Sequence, residues 1–360
     1  MTLGSGACRR PAVEVLGLCD QQYHVRAPRP ATEQPSDWWA SHKRSRESQL
    51  WERAGQRLGQ APAKPEVRWV RRCDRGADIY EHLQRCRELG HSFVVRAAQD
   101  RAVVTVASGQ RTSLFATARA VSALGECELE LRARPQHPAR RARLHVGATP
   151  VELCAPRRPG QGAGGLLPLP CTVVRVWEVT APVGVEPLEG VLLCDPWVCD
   201  WEQALECVQQ YATRWLIEDY HKALKSGLGA ERLQLETATG RMAAIALMSV
   251  VAVRPLVLRE SVRLQPEAPA TEAGLAPLEL EVLQCKVGQL LSTVGDVALV
   301  FHHRSTGAPD RTIGENAACG CRCTQHTHQP GECLEAHVRY GGLCVVETNS
   351  EHLGILPLGD

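Results

Sequence analysis

The run "YATRWLIEDYHKALKSG", residues 211–227, decides how this sequence is read. At about 100° per residue on a helix, with Tyr211 at zero, Arg214, Glu218, Lys222 and Lys225 fall between roughly 300° and 20°. Leu205, Val208, Ala212, Trp215, Leu216 and Ala223 fall between roughly 40° and 140°. One face packs, and the face beside it displays a tyrosine, an arginine, a glutamate and two lysines in order. Two readings are open. Arg214–Glu218 and Glu218–Lys222 are i, i+4 pairs, so the row is a solvated face laced with ion pairs; or it is a surface that holds a charged ligand. Trp215 reads as a core residue rather than a contact.

Outward from that helix, bulk composition narrows the classes. A chain of 360 residues buries one large core or two modest ones. Net charge is +1, so a nucleic-acid surface has to be local. The longest apolar run, "MAAIALMSVVAV" (242–253), is too short to span a bilayer and is flanked by Arg241 and Arg254. The N-terminal stretch lacks the continuous apolar run of a signal peptide. A soluble, cytoplasmic protein is expected. The cysteines before residue 300 form no C-x-x-C pair and read as small buried apolar residues.

"VEVLGLCDQQYHV" (13–25) reads as a strand, followed by a Pro-rich connection. A helix follows with Ser45 as cap and Leu50, Ala54 and Leu58 at i, i+4, i+8. "EVRWVRRCD" (66–74) is a strand ending on Asp74. "DIYEHLQRCRELG" is a helix with a capping box, Asp78 with Glu81, and a stop at Gly90. "SFVVRAA" (92–98) is another strand. This is the pattern of a mainly parallel sheet covered by helices.

From 100 to 198 short runs such as "AVVTVAS", "CELELRAR" and "TVVRVWEVT" alternate with Pro/Gly turns, an antiparallel β-rich insertion. It carries a basic cluster, Arg132, Arg134, Arg140, Arg141, Arg143, Arg157 and Arg158. That cluster is either a solvated edge that resists aggregation or a phosphate-contacting surface.

Asp78 is explained as a cap, while Asp74 is not, and carboxylates at strand ends are where α/β sheets do chemistry. The spacing Tyr-x2-Arg-x3-Glu-x6-Lys at Tyr211, Arg214, Glu218 and Lys225, with "CDRGADI" and "FVVRAA", resembles the cut-and-paste DDE transposases of bacterial insertion sequences. The branch is the one marked by a Tyr-Arg-Glu-Lys signature. The resemblance runs from about Val15 to about Val300 and includes "RWLIEDYHKALKSGLGAERLQLE" and "SVVAVRPLVLRE".

The resemblance implies an α/β fold: an RNase H-like mixed sheet flanked by helices, with an antiparallel β-rich insertion between the second and third acidic positions. It implies a partial core over 1–99, the insertion over 100–198, the rest of the core over 199–298, and an atypical tail over 299–360. Asp74 and Glu218 match the second and third metal-binding carboxylates. Three such carboxylates hold two Mg²⁺ or Mn²⁺ ions that activate a nucleophile and stabilise the leaving oxygen. Tyr211, Arg214, Lys222 and Lys225, with Arg96, are expected to bind DNA phosphates. The implied partners are double-stranded DNA, as transposon ends and target, and a second copy in a synaptic homodimer.

The chain departs from that pattern in places. The family's first aspartate lies on a strand before the segment resembling "VLGLCDQQ", and Asp20 does not replace it; the expectation is a catalytically defective transposase. The alternative is a non-catalytic DNA-binding or transposase-inhibiting remnant. Gly190 stands where the family has a stacking tryptophan. Pro255 interrupts a segment that should be helical, and Arg71 and Arg72 sit on a strand the fold would bury. After Val300 the resemblance stops. Cys319, Cys321, Cys323, His326, His328 and Cys333 offer zinc-type ligands, but a reading-frame shift is the expected origin of this tail. A Cys/His-rich regulatory protein is the third reading.

Overall fold

The computed structural model describes residues 11, 13–23, 48–64, 67–131, 133, 138–156, 167–195, 198–272, 275–287 and 290–297, with two short strands, Gly4–Ala7 and Val346–Thr348. The chain is α/β, a mixed sheet flanked by helices. Its centre is the pair β2 (Val67–Cys73) and β3 (Ser92–Arg96), joined by helix α2 (Tyr80–Glu88). β2 and β3 run parallel, with Val70 opposite Ser92 and Cys73 opposite Val95. Asp74 and Arg96 therefore leave the sheet side by side, at the carboxyl ends of a parallel pair.

The other edge of β3 takes β9 (Glu189–Asp195) antiparallel, Arg96 opposite Leu192. β8 (Leu169–Glu178), β7 (Arg140–Leu153) and β6 (Gly125–Leu131) continue the same sheet outward in antiparallel pairs. β1 (Gly4–Ala7) adds to β6, and β10 (Val346–Thr348) to β2. The short β4 (Ala102–Thr105) joins β5 (Arg111–Ser113) and β7.

Alternation along the strands sorts side chains onto two faces. Phe93, Val95, Val173, Leu193, Val151 and Leu153 pack under α2 and α3 (Leu114–Arg119), with Trp51 of α1 (Ser48–Leu58) beside them. Val94, Val174, Leu192, Leu144 and Val146 pack under α4 (Trp201–Thr213). Each buried side chain of this size contributes about 1.5–3 kcal/mol. A second pair of clusters joins α5 (Trp215–Lys222), the long α6 (Ala238–Leu264) and α7 (Pro277–Val287). Among the described residues α6 alone is long and apolar enough to cross a membrane by length and composition, and a third of its apolar window is buried.

Several expectations are corrected. Residues 13–23 form no strand; instead of entering a ladder they are tied by side chains. Gln21 Nε2 donates to Ser249 Oγ (2.9 Å), and Tyr23 Oη donates to Gln21 Oε1 (3.0 Å) and to the Met242 carbonyl (3.2 Å). Asp20 accepts from Gln22 (2.9 Å) and pairs with Arg57 at 3.0 Å, which fastens this segment to α1. α3, unexpected in a β-rich stretch, starts where Ser113 accepts from the Ala116 N–H. The residues from 211 onward are not one helix.

Pro255 does not interrupt α6, which runs through it. Pro255 and Val251 both face solvent, so the carbonyl that loses its partner is placed where water can reach it. Arg71 and Arg72 are buried yet bonded: Arg71 donates to the Trp51 carbonyl (3.2 Å) and Arg72 to Thr213 Oγ1 (2.8 Å). The cysteines divide: Cys73, Cys86, Cys171, Cys194 and Cys207 are buried, while Cys19, Cys199 and Cys285 are exposed and Cys127 is disulfide-bonded. Ser45, Arg132, Arg134, Arg157, Arg158 and the Cys/His positions of the tail lie outside the described residues.

Candidate functional site

Where β2 ends, Asp74 turns the chain into a single 3-10 turn, Arg75–Ala77, and caps it by accepting from the Gly76 N–H at 2.8 Å. Asp74 is exposed. The Trp51 indole lies against Gly76, and a Cβ there would meet Asp74 Oδ1 at 3.0 Å, so the turn is seated closely on α1.

The expected capping roles are reversed. Asp78 does not cap α2, whose N-cap is Ile79 with no side-chain bond. Its carboxylate is buried and takes the N–H groups of Ala98 (2.7 Å) and Gln99 (2.9 Å) and the Arg101 guanidinium. The capping-box spacing is present, but the helix starts one residue too late to use it. The stop at Gly90 stands, with φ +69°.

The signature run is built in three pieces. α4 ends at Thr213, whose hydroxyl donates to the Gln210 carbonyl (2.7 Å) while accepting from Arg72. A threonine bonded to its own preceding turn bends a helix, and here the bend is held by a buried cation from β2. α5 resumes at Trp215. Residues Ala223–Gly227 then wind as a π turn, with the Leu228 N–H on the Ala223 carbonyl at 2.9 Å. Gly229, φ +71°, ends the run.

These breaks shift the helical phase. Leu216 is fully buried as expected, but Trp215 is 53% exposed, not a core residue. The Arg214 guanidinium lies over both neighbouring rings, 5.7 Å from the Tyr211 centroid and 5.3 Å from Trp215. It donates to Glu218 Oε1 at 2.9 Å. Burial works against the charge of Arg214, yet the Glu218 bond and the charges of Tyr211, Glu218 and Asp74 hold its pKa above the usual value. Glu218 bonds this guanidinium directly, while Asp74, 144 positions earlier in sequence, acts on it only as the weakest of these charges.

Of the other expected residues, Tyr211 is partly buried against the α4 face of the sheet. Arg96 is half-buried at the end of β3, and Lys222 is exposed on α5. Lys225 is drawn away by the π turn to Glu231 at 3.1 Å, out of the row that ideal helical winding implied.

The resemblance implies Mg²⁺ or Mn²⁺ held by carboxylates. Two carboxylates suit a hard cation. Asp74 is engaged by a backbone N–H and Glu218 by Arg214, and among the described residues no group of three His, Cys, Asp or Glu side chains converges. A two-ion cage is not built by these residues.

The basic cluster of the insertion resolves differently from the signature row. Arg140 pairs with the buried Glu178, Arg141 with Glu130 at 3.5 Å, and Arg143 stands opposite Glu128 in the ladder. These three belong to a charge-paired strand edge. At Gly190 an added Cβ would meet nothing within 4 Å, so a large side chain has room there.

Sequence reasoning missed Trp215, Asp78, Trp51 and the Arg72–Thr213 bond. The first was hidden by assuming unbroken helical phase. For Asp78, the signal was a second acid that four residues after Asp74 faced an arginine, Arg101, across the loop. Searched against protein-family models, the chain matches none.

Proposed function

We propose that the chain is the DNA-end-binding core of a DDE-type transposase, RNase H-like in its central layer, whose strand-cleaving function is defective. The observation that carries this reading is the strand-end pair: Asp74 and Arg96 stand at the carboxyl edge of the parallel strands β2 and β3, and Arg214 bonds the helix-borne Glu218 at 2.9 Å. The end of β3 and the helix α5 carry the cations a phosphate backbone requires, Arg96 and the exposed Lys222, with an exposed indole, Trp215, on which an unstacked base can lie.

In this reading Arg214 positions a phosphate by its planar fork, with the Tyr211 ring 5.7 Å from that fork. Mg²⁺ or Mn²⁺ would supply nucleophile activation in a complete site. Asp74 and Glu218 are the residues that would contact it, but two carboxylates leave the cage incomplete. Binding of double-stranded DNA in the cytoplasm, as a copy paired with a second transposase chain, is the activity that remains.

The alternative, a remnant that inhibits a competent transposase, uses the same surface and differs only in consequence. The test is a salt titration of duplex DNA binding beside a cleavage assay in Mn²⁺. Affinity that falls steeply with salt, with no cuts, supports the proposal. Salt-independent or absent binding ends it, and Mn²⁺-dependent cuts overturn the defective assignment.

A further inference from the structure

We infer that Asp78 is a positioning residue: its buried carboxylate locks the turn carrying Asp74 to the segment leaving β3, and so fixes where Arg96 meets DNA. The inference rests on the DNA-binding reading above.

The geometry is specific to this role. Asp78 closes the 3-10 turn that Asp74 opens, its own N–H bonding the Arg75 carbonyl at 3.3 Å. Its side chain reaches the other way, to the first residues after β3. Oδ2 accepts from both Ala98 and Gln99, and Oδ1 from Arg101. Its carbonyl accepts from Gln99 Nε2 (3.3 Å) and Arg101 Nη2 (2.8 Å). Arg96 is two residues before the first of these bonds. On its other side the Ala97 N–H is held by the Val191 carbonyl at 2.9 Å. The exit of β3 is thereby fixed at consecutive residues, and one carboxylate ties it to the turn of Asp74.

A buried ion pair contributes little to stability on balance, whereas a carboxylate that saturates adjacent N–H groups restricts a loop. Loop precision is what a phosphate contact at a strand end requires. A role in folding alone would leave DNA binding by the folded variant unchanged.

The test uses the full chain and a short mixed-sequence DNA duplex. Salt titrations compare the unmodified protein with Asp78→Ala, Asp78→Asn, Arg96→Ala and the Asp78→Ala/Arg96→Ala double variant. Arg96→Ala is expected to weaken binding about tenfold and to lower the salt slope by about one. Asp78→Ala should do the same, and the double variant should be no weaker than either. The D78N variant keeps an oxygen that accepts from Ala98 and Gln99, so it should retain most of the affinity and slope. It also serves if the alanine variant fails to fold. Additive losses in the double variant, or a D78N variant as impaired as Arg96→Ala while hydrogen exchange shows Ala98 and Gln99 still protected, overturn the inference. If the unmodified chain binds no DNA, the underlying reading has failed, a result seen before any variant is made.

Discussion

The two sides of the sheet use charge in different ways. On the β6–β9 side several cations meet a carboxylate: Arg140 with Glu178, Arg141 with Glu130, Arg175 and Arg119 with Glu189, His145 with Glu126. On the β2 side the pattern is mixed: Arg68 pairs with Glu206 at 2.8 Å and Arg214 with Glu218, but the buried Arg71 bonds a carbonyl and a thiol, Arg72 a hydroxyl, and Lys222 faces solvent. The two regions look equally basic as strings of letters. Register accounts for part of the difference: Arg141 and His145 stand opposite Glu130 and Glu126 in the ladder, while Arg71 and Arg72 lie beneath helices and bond groups that those helices bring.

Four experiments probe this contrast. The largest effect is expected from acid. His82 is buried between α1 and β2, with Cys73 and Cys86 at 4.0 and 3.8 Å, and Trp51 facing it. Burial, and then the Arg71 charge, push its pKa down from 6.5 to about 3, and the same causes lower His91. The unfolded chain takes up protons below about 6.5 that the fold refuses, so stability is complete above that pH and falls towards 3. Denaturant midpoints across this range should drop steeply, and the His82→Gln variant should show a flatter slope.

Next in size is Leu193→Ala, which empties a fully buried site in the middle of the sheet. It should lower unfolding free energy by about 3 kcal/mol yet leave DNA affinity of the folded protein unchanged. Arg214→Ala should behave in the opposite sense, weakening DNA binding at least about tenfold with a smaller loss of stability. If the two variants fail in the same assay, the division between a supporting and a binding region is wrong. The smallest effect belongs to Arg141→Ala: its pair with Glu130 is well exposed, and its removal should shift stability by less than about 0.5 kcal/mol and DNA binding not at all. A clear loss of DNA affinity there would restore the insertion's basic cluster as a contact surface.

The central strands and α2 were legible because β-branched and aromatic residues between turn signals leave few choices. Periodicity was a poorer guide: it put Leu205, Val208 and Ala212 of α4 on the packing face, where they are only partly buried, while Ala204, Cys207, Gln210 and Thr213 are the buried residues of that helix. It failed at Trp215, since one threonine bonded to a buried arginine breaks the helix, and neither partner announces the other in sequence. The strand expected at 13–25 alternates as a strand should, but alternation records burial, and here burial comes from side-chain bonds to α6 and α1. Asp78 was misread for a related reason. The capping motif accounts for it by spacing alone, and nothing local marks its partners, twenty and more residues on. That Asp74 and Glu218 would act together is suggested only by the family resemblance; spacing by itself favours a solvated helix face.

The π turn at Ala223–Gly227 makes the length of this segment an instruction in its own right. A helix that takes in one surplus residue without unravelling keeps everything before it in place and rotates everything after it. Removing a single residue there would restore α winding and turn the following backbone by about 100°. Glu231 would be carried away from Lys225, and the lysine now tied down would rejoin the face of Arg214 and Lys222. A deletion, with no change of chemistry, would then enlarge the cationic surface by one charge.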